Sequence, residues 1–260
     1  MSKLIVTIMA AGEGKRMNSS IPKILHNFNS IPMLIRIIIE SYKLLPNKII
    51  VITGKYDKLI RQTVYEYFFD KNRDILNNII FVKQHVSNGT GGAIKTTLNY
   101  YDDNDNVLIL NGDMPLISYN LLEKFINANE NNSDTDVCKL LVAKLDKPFG
   151  YGRILYKNSE FVGIKEEKEC SDEEKNIDIV NVGIYYFNSK FLKKYIPNIT
   201  NKNSQNEYYL TDIIKIMREF SDVTMETYLV EEELKYQIMG VNTQEELKKL
   251  EEYYELLQLI

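Results

Sequence analysis

Residues 4–17 read LIVTIMAAGEGKRM: an apolar run, Leu4–Ala10, that gives way to Gly12-Glu13-Gly14 and then to Lys15 and Arg16. A short Ile/Val-rich run followed at once by glycines predicts a buried strand ending in a tight turn, where backbone can lie against phosphate. Neither of the common phosphate loops fits. A Walker A loop needs Gly-x-x-x-x-Gly-Lys-Ser/Thr, whereas here Met9 stands at the first glycine and Arg16 follows Gly14-Lys15. A dinucleotide fingerprint needs Gly-x-Gly-x-x-Gly, whereas Met17 follows Gly12-Glu-Gly14 at the third glycine position. Arg16 and Lys23, the latter behind the stiff Pro22, add two cations to the loop's backbone donors. That combination suits a nucleoside triphosphate better than a plain turn does.

Working outward, apolar runs recur at Lys48–Thr53, Ile79–Lys83 and Asn106–Leu110. Between them lie stretches of helical spacing, Met33–Leu45, Tyr56–Asp70, Gly91–Tyr100 and Ser118–Asn129. Strand alternating with helix predicts an α/β fold, Rossmann-like, with a parallel sheet covered on both faces. Ligands of such sheets gather at the carboxyl ends of the strands. Residues 10–23 and Asn111-Gly-Asp-Met-Pro115 both fall there and should share one crevice. Beyond residue 137, shorter strand-like pieces follow, Val137–Leu145, Arg153–Tyr156, Phe161–Glu166 and Ile179–Phe187, with a polar loop at 167–177. These predict mixed or antiparallel strands that wall the crevice. Helices return at Leu210–Phe220 and Thr243–Leu257, the second opened by the capping-box pattern Thr243-Gln-Glu-Glu246. No hexapeptide repeat predicts a left-handed β-helix. The Asn-rich run Asn127–Asn132 reads as loop.

Composition narrows the partners. The chain of 260 residues has 44% hydrophobic residues and a net charge of −4 with both signs interspersed, so neither nucleic acid nor a membrane surface is expected as a partner. The first apolar run is too short to span a bilayer and lacks a secretory cleavage pattern, which points to a cytoplasmic protein. Cys138 and Cys170 show no Cys-x-x-Cys spacing, so neither a disulfide framework nor a zinc site is expected, and His26 and His85, with no legible catalytic neighbours, read as structural or surface residues.

The segment MAAGEGKRMNSSIPKILH resembles the Leu-Ala-Ala-Gly-x-Gly-Thr-Arg-Met…Pro-Lys signature of the sugar-1-phosphate nucleotidyltransferases. Within them, QHVSNGTGGAI, LNGDMPLIS, PFGYGRI, GIKEEKE, NVGIYYF, NEYYLTDII and MGVNTQEEL follow in the order found in the uridyltransferase domain of bacterial N-acetylglucosamine-1-phosphate uridyltransferases. The resemblance spans essentially the whole chain. It implies a single nucleotidyltransferase domain with a mixed, mostly parallel sheet: a nucleotide-binding half (1–136), a sugar-binding half (137–242) and a terminal helix (243–260). The implied reaction joins UTP and N-acetylglucosamine-1-phosphate to give UDP-N-acetylglucosamine and pyrophosphate, by in-line attack on the α-phosphate with Mg2+ as cofactor.

Roles follow from the same resemblance. Asp113 and Asn242 would hold magnesium, a hard ion that takes one or two protein oxygens and leaves the rest of its shell to phosphates and water. Arg16 would meet the leaving pyrophosphate and Lys23 the α-phosphate. Ala11 and Gly12 would close around the nucleotide, and Gln84, Gly89 and Thr90 would read uracil, the Gln84 amide as both donor and acceptor. Gly152, Glu166 and Asn181 would contact the hexose and its acetamido group.

The sequence departs from the pattern at Met9, Lys15, Asn111 and Val182, none of which removes a charge or a metal ligand. The bacterial proteins continue into a β-helical acetyltransferase, whereas this sequence ends at Ile260, so acetyl transfer is expected to be absent. Two alternatives stand beside this reading: a UTP- or dTTP-dependent glucose-1-phosphate nucleotidyltransferase, and a catalytically silent nucleotide-sugar sensor. The oligomeric state is open between monomer and dimer, with the terminal helix either packed on the domain or mediating a dimer.

Overall fold

A computed structural model describes residues 2–128, 137–158, 160–220 and 223–259. The strands are β1 (Leu4–Met9), β2 (Asn27–Phe28), β3 (Ile31–Pro32), β4 (Lys48–Thr53), β5 (Ile79–Lys83), β6 (Asn106–Asn111), β7 (Val137–Lys144), β8 (Gly152–Lys157), β9 (Glu160–Lys165), β10 (Ile179–Asn188) and β11 (Thr224–Leu229). The α-helices are α1 (Met33–Tyr42), α2 (Asp57–Phe68), α3 (Arg73–Asn78), α4 (Thr90–Lys95), α5 (Tyr119–Asn127), α6 (Ser189–Tyr195), α7 (Asp212–Phe220) and α8 (Gln244–Leu257). Residues 129–132 of the Asn-rich run, and the boundary placed at 136, lie outside the described residues.

One sheet runs β11-β7-β10-β6-β1-β4-β5, with β8 and β9 branching from β10. Of the strands on the main path only β10 runs against the others, because it is antiparallel to both β6 and β7. β1 sits centrally between β4 and β6 in parallel register. Side chains alternate across it: Val6 and Ile8 pack with helices α1, α2 and α5, while Ile5 packs on the other face with α4, α6 and α7. Both faces are therefore dry. That explains why the central strands read as nearly continuous apolar runs.

The sequence expectations hold for the large elements, with differences that have physical causes. The expected helix 33–45 stops at Tyr42, since the chain turns at Leu45 with φ 54°. The segment expected as one helix at 91–100 is α4 followed by a separate 3-10 turn at Leu98–Tyr100. Elements α3, α6 and β11 were not legible, being short and only partly apolar; β11 is carried by its parallel ladder to β7 and α6 by packing of Phe191 and Leu192 into the core. Among the described residues no helix is long and apolar enough to cross a membrane.

β10 changes partners along its length. Val180 and Asn181 pair with Arg153 and Gly152 of β8, and the register against β7 shifts between Asn181 and Tyr185. Gly183 lies in that bulge at φ 82°, and a Cβ there would stand 2.5 Å from the Asn111 amide nitrogen. Only glycine suits both demands.

Candidate active site

The carboxyl ends of β1 and β6 open onto two adjoining cavities of about 650 and 250 Å3 that share Met9, Thr90, Asn111 and Asp113 in their walls. The smaller one takes in Ala11, Gly12, Lys23, Gln84 and Gly89. The larger takes in Arg16, Gly152, Glu166, Asn181 and Asn242. Every residue singled out from the sequence thus faces one continuous crevice, drawn from segments up to 231 positions apart (Ala11 to Asn242).

At its centre the Lys23 ammonium lies 2.5 Å from Asp113 Oδ2 and 2.8 Å from Asn242 Oδ1. The Val241 amide donates to the Asp113 carbonyl at 2.9 Å, so the loops bearing the two oxygens are tied to each other. Lys23 opens a one-turn 3-10 helix behind Pro22. Its approach depends on Gly14, which has φ 64° and would carry a Cβ 2.5 Å from Lys23 Cβ. Asn242 directly precedes Thr243, the N-cap of α8. There Thr243 Oγ1 accepts from the Glu246 amide at 3.1 Å, and the Glu246 carboxylate reaches back to the Asn242 amide at 2.6 Å. This satisfies orphan donors at the helix start and holds Asn242 in place.

On the small-cavity side, Gln84 Nε2 donates to Asn88 Oδ1 at 3.0 Å and to the Gly89 carbonyl at 3.3 Å. A carbonyl only accepts, so the amide nitrogen is turned toward the loop. In this arrangement the Gln84 amide donates to the 88–89 turn. Gly89 has φ 100°, and a Cβ would strike the Tyr208 carbonyl at 2.5 Å, so the neighbouring 207–208 backbone already demands glycine there. At Gly12, by contrast, a Cβ would meet nothing within 4 Å and would project into open space.

On the large-cavity side, Asn181 Oδ1 accepts from the Gly183 amide at 3.1 Å and its Nδ2 donates to the Tyr185 hydroxyl at 2.7 Å. Both ends of the amide are thereby oriented, with one Nδ2 hydrogen remaining. Thr211 donates to Glu166 Oε1 at 2.7 Å. Burial pushes the Glu166 carboxyl above its ordinary range, with the Asp212 and Glu169 charges adding to the rise and the Thr211 bond opposing it. Tyr185, Thr211 and Tyr151 were missed from the sequence. Tyr151 lines the large cavity and its hydroxyl bonds the Gly240 backbone; burial, then the Asp113 and Glu246 charges, raise its pKa. All three lie within quoted segments, Tyr151 in PFGYGRI, Tyr185 in NVGIYYF and Thr211 in NEYYLTDII, without being singled out there.

Among the described residues no group of three or more His, Cys, Asp or Glu side chains is arranged to hold a metal. The donor set that does exist suits a hard cation: one carboxylate and one amide oxygen already converge on a single positive charge, the Lys23 ammonium.

Residues 6–159 match the MobA-like NTP transferase domain family. The chain is 38% identical over 253 residues to a probable UDP-N-acetylglucosamine pyrophosphorylase of Acanthamoeba polyphaga mimivirus, covering 96% of this chain and 95% of that one. It is 40% identical over 255 residues to the bifunctional protein GlmU of Buchnera aphidicola, of which it spans 53%. Among solved structures, a UDP-glucose pyrophosphorylase bound to UDP-glucose superposes with a TM-score of 0.71 at 15% identity, covering 98% of each chain. A putative glucose-1-phosphate thymidylyltransferase from Bacillus anthracis gives 0.70 at 20% identity, covering 96% of this chain and 94% of that one. At those identities the two structures speak for the fold.

Proposed function

The chain belongs to the MobA-like NTP transferase family and is a nucleotidyltransferase, and on that premise we propose that it transfers a uridylyl group from UTP to N-acetylglucosamine-1-phosphate. The observation that carries this is the meeting of Lys23, Asp113 and Asn242 where the two cavities join. A reaction between two polyanions needs positive charge and fixed oxygens at that junction.

In this mechanism the smaller cavity takes the nucleotide, with Ala11 and Gly12 offering backbone and Gln84, Gly89 and Thr90 meeting the base. The larger cavity takes the sugar, with Gly152, Glu166 and Asn181 on its hydroxyl and acetamido groups. A sugar-phosphate oxygen attacks the α-phosphorus, a new P–O bond forms, and the bond to the β-phosphate oxygen breaks with its electrons leaving on pyrophosphate. Lys23 balances charge on the α-phosphoryl oxygens, and the exposed Arg16 at the crevice mouth draws off the pyrophosphate. No covalent enzyme intermediate is required. Asp113 and Asn242 would hold magnesium, which when bound offsets phosphate charge. Their oxygens also contact the Lys23 ammonium, which compensates the negative carboxylate. Preference for the acetylated sugar rests on the Asn181 donor and Glu166. The homologue from Acanthamoeba polyphaga mimivirus, similar over nearly the whole chain, adds support.

The test is magnesium-dependent pyrophosphate release with UTP, comparing N-acetylglucosamine-1-phosphate with glucose-1-phosphate. A clear preference for the acetylated sugar is expected. Preference for glucose-1-phosphate would move the substrate, and no release with either would favour a silent sensor.

A further inference from the structure

The guanidinium of Arg153 is among the most deeply buried charges in the molecule, at 1% exposure, and lies outside the catalytic set. It extends from β8 to three pieces of chain. Nη2 is 2.8 Å from Glu167 Oε2, Nε and Nη2 reach the Lys175 carbonyl at 3.3 and 3.2 Å, and Nη1 donates to the Tyr151 carbonyl. Glu167 Oε2 also accepts from the Gly150 amide at 3.0 Å. The residues so joined belong to, or directly adjoin, one stretch of the crevice lining. Gly150, Tyr151, Gly152 and Glu166 all line the larger cavity, and the β8–β9 ladder, with Arg153 opposite Lys165, sets Gly152 beside Glu166 at the start of the loop that carries Glu167 and Lys175. Cys170 pins the same turn, its thiol pointing to the Lys165 and Glu166 carbonyls.

A buried charge is costly to keep unless it is paired and hydrogen-bonded, and an apolar side chain would fill the volume more cheaply. What the guanidinium supplies that an apolar group cannot is several directed bonds in one plane, linking three loops at fixed separations. From this we propose that Arg153 is a positioning residue. Through Glu167 it fixes how the Gly150–Gly152 segment and the loop after Glu166 are seated against each other, and so the fit of the sugar phosphate. The assignment of sugar phosphate to this cavity rests on the function proposed above.

Two variants and two readouts test it. Arg153→Lys keeps the charge and loses the planar fork, and Glu167→Gln keeps the shape and one acceptor while losing the ion pair. Amide hydrogen exchange on the ligand-free protein should show faster exchange at residues 148–152 and 166–176 in both, with β1, β4 and β6 unchanged. Steady-state kinetics should show KM for the sugar phosphate raised about tenfold or more in Arg153→Lys, with KM for UTP within about twofold and a smaller rise in Glu167→Gln. Glu167→Gln keeps the test open should Arg153→Lys fail to fold. Unchanged exchange in a folded variant would overturn the clamp. Faster exchange with an unchanged KM for sugar phosphate would overturn its role in positioning. A wild-type protein inactive on either sugar phosphate would sink the functional reading alone, since exchange on the ligand-free protein still decides the clamp.

Discussion

Lys23, Asp113 and Glu166 show how single side chains are assigned opposite duties by their surroundings. Lys23 has two oxygen partners within 2.8 Å and both belong to the proposed metal set, so removing it strips compensation from the Asp113 carboxylate as well as from the transition state. Asp113→Ala is therefore expected to lower turnover by about 10²-fold or more, the scale for losing one preorganised stabiliser. Lys23→Ala should lower kcat more than it raises KM; steady-state kinetics in both substrates checks each. Glu166 is the reverse case, a carboxyl raised by burial. A raised carboxyl means that the folded state binds its proton more tightly than the unfolded chain. Stability at this residue is then intact below the ordinary carboxylate pKa and falls as pH rises toward the folded value. Glu166→Gln, which can still accept from Thr211, should have a higher Tm than wild type at neutral pH. The advantage should vanish below about pH 4, while KM for the sugar phosphate rises. Thermal unfolding of both proteins across pH, read beside the kinetics, tests the trade between stability and binding.

At the level of elements, the β10 bulge and the α8 cap place functional groups that isolated strands and helices would not. In β10 the shift between Asn181 and Tyr185 keeps Val180, Val182 and Ile184 on one face of the sheet while turning the Asn181 amide onto Gly183 and Tyr185. Gly183→Ala should cost about 1–3 kcal/mol for a non-glycine residue at positive φ, together with a weaker grip on the sugar phosphate as Asn111 is pushed aside. Denaturant unfolding would read the first effect and KM the second. At the start of α8, the hydroxyl of Thr243, the residue after Asn242, caps the Glu246 amide. Thr243→Ala should cost about 1 kcal/mol and lower activity beyond what that loss of stability explains, because the cap anchors Asn242. The capping-box pattern was legible in the sequence; that Glu246 reaches the Asn242 amide was not, because the reach depends on how the preceding loop approaches the helix.

Across the whole molecule, α8 closes the chain back onto its beginning. Leu247 and Leu250 pack with Met17, Phe28 and Met33; Gln244 donates to the Met17 carbonyl, and Glu251 accepts from the Asn29 amide. Of the two roles open to this helix from the sequence, packing on its own domain is thus the one these contacts describe. Leu250→Ala should cost about 2–5 kcal/mol, the range for a buried leucine truncated to alanine, and should reduce catalysis along with stability, since Asn242 sits at the start of the same helix. Comparison of Tm and kcat in that variant checks the coupling. The central strands, the glycine loop, the helices on both faces and most candidate site residues were legible because strand runs and glycine turns are local signals, strengthened by motifs whose order spans the chain. Elements α3, α6 and β11 were not, since their formation depends on neighbours rather than on their own periodicity. The sequence by itself determined the α/β layering and which residues carry charge, oxygen and backbone freedom. Only tertiary structure decided that Lys23 bridges Asp113 and Asn242, that Gln84 donates to the 88–89 turn, and that Arg153 ties Tyr151 to Glu167 and Lys175 beside the larger cavity. Those contacts join segments tens to hundreds of residues apart, and their distances follow from sheet order and bulge geometry, which no local pattern encodes.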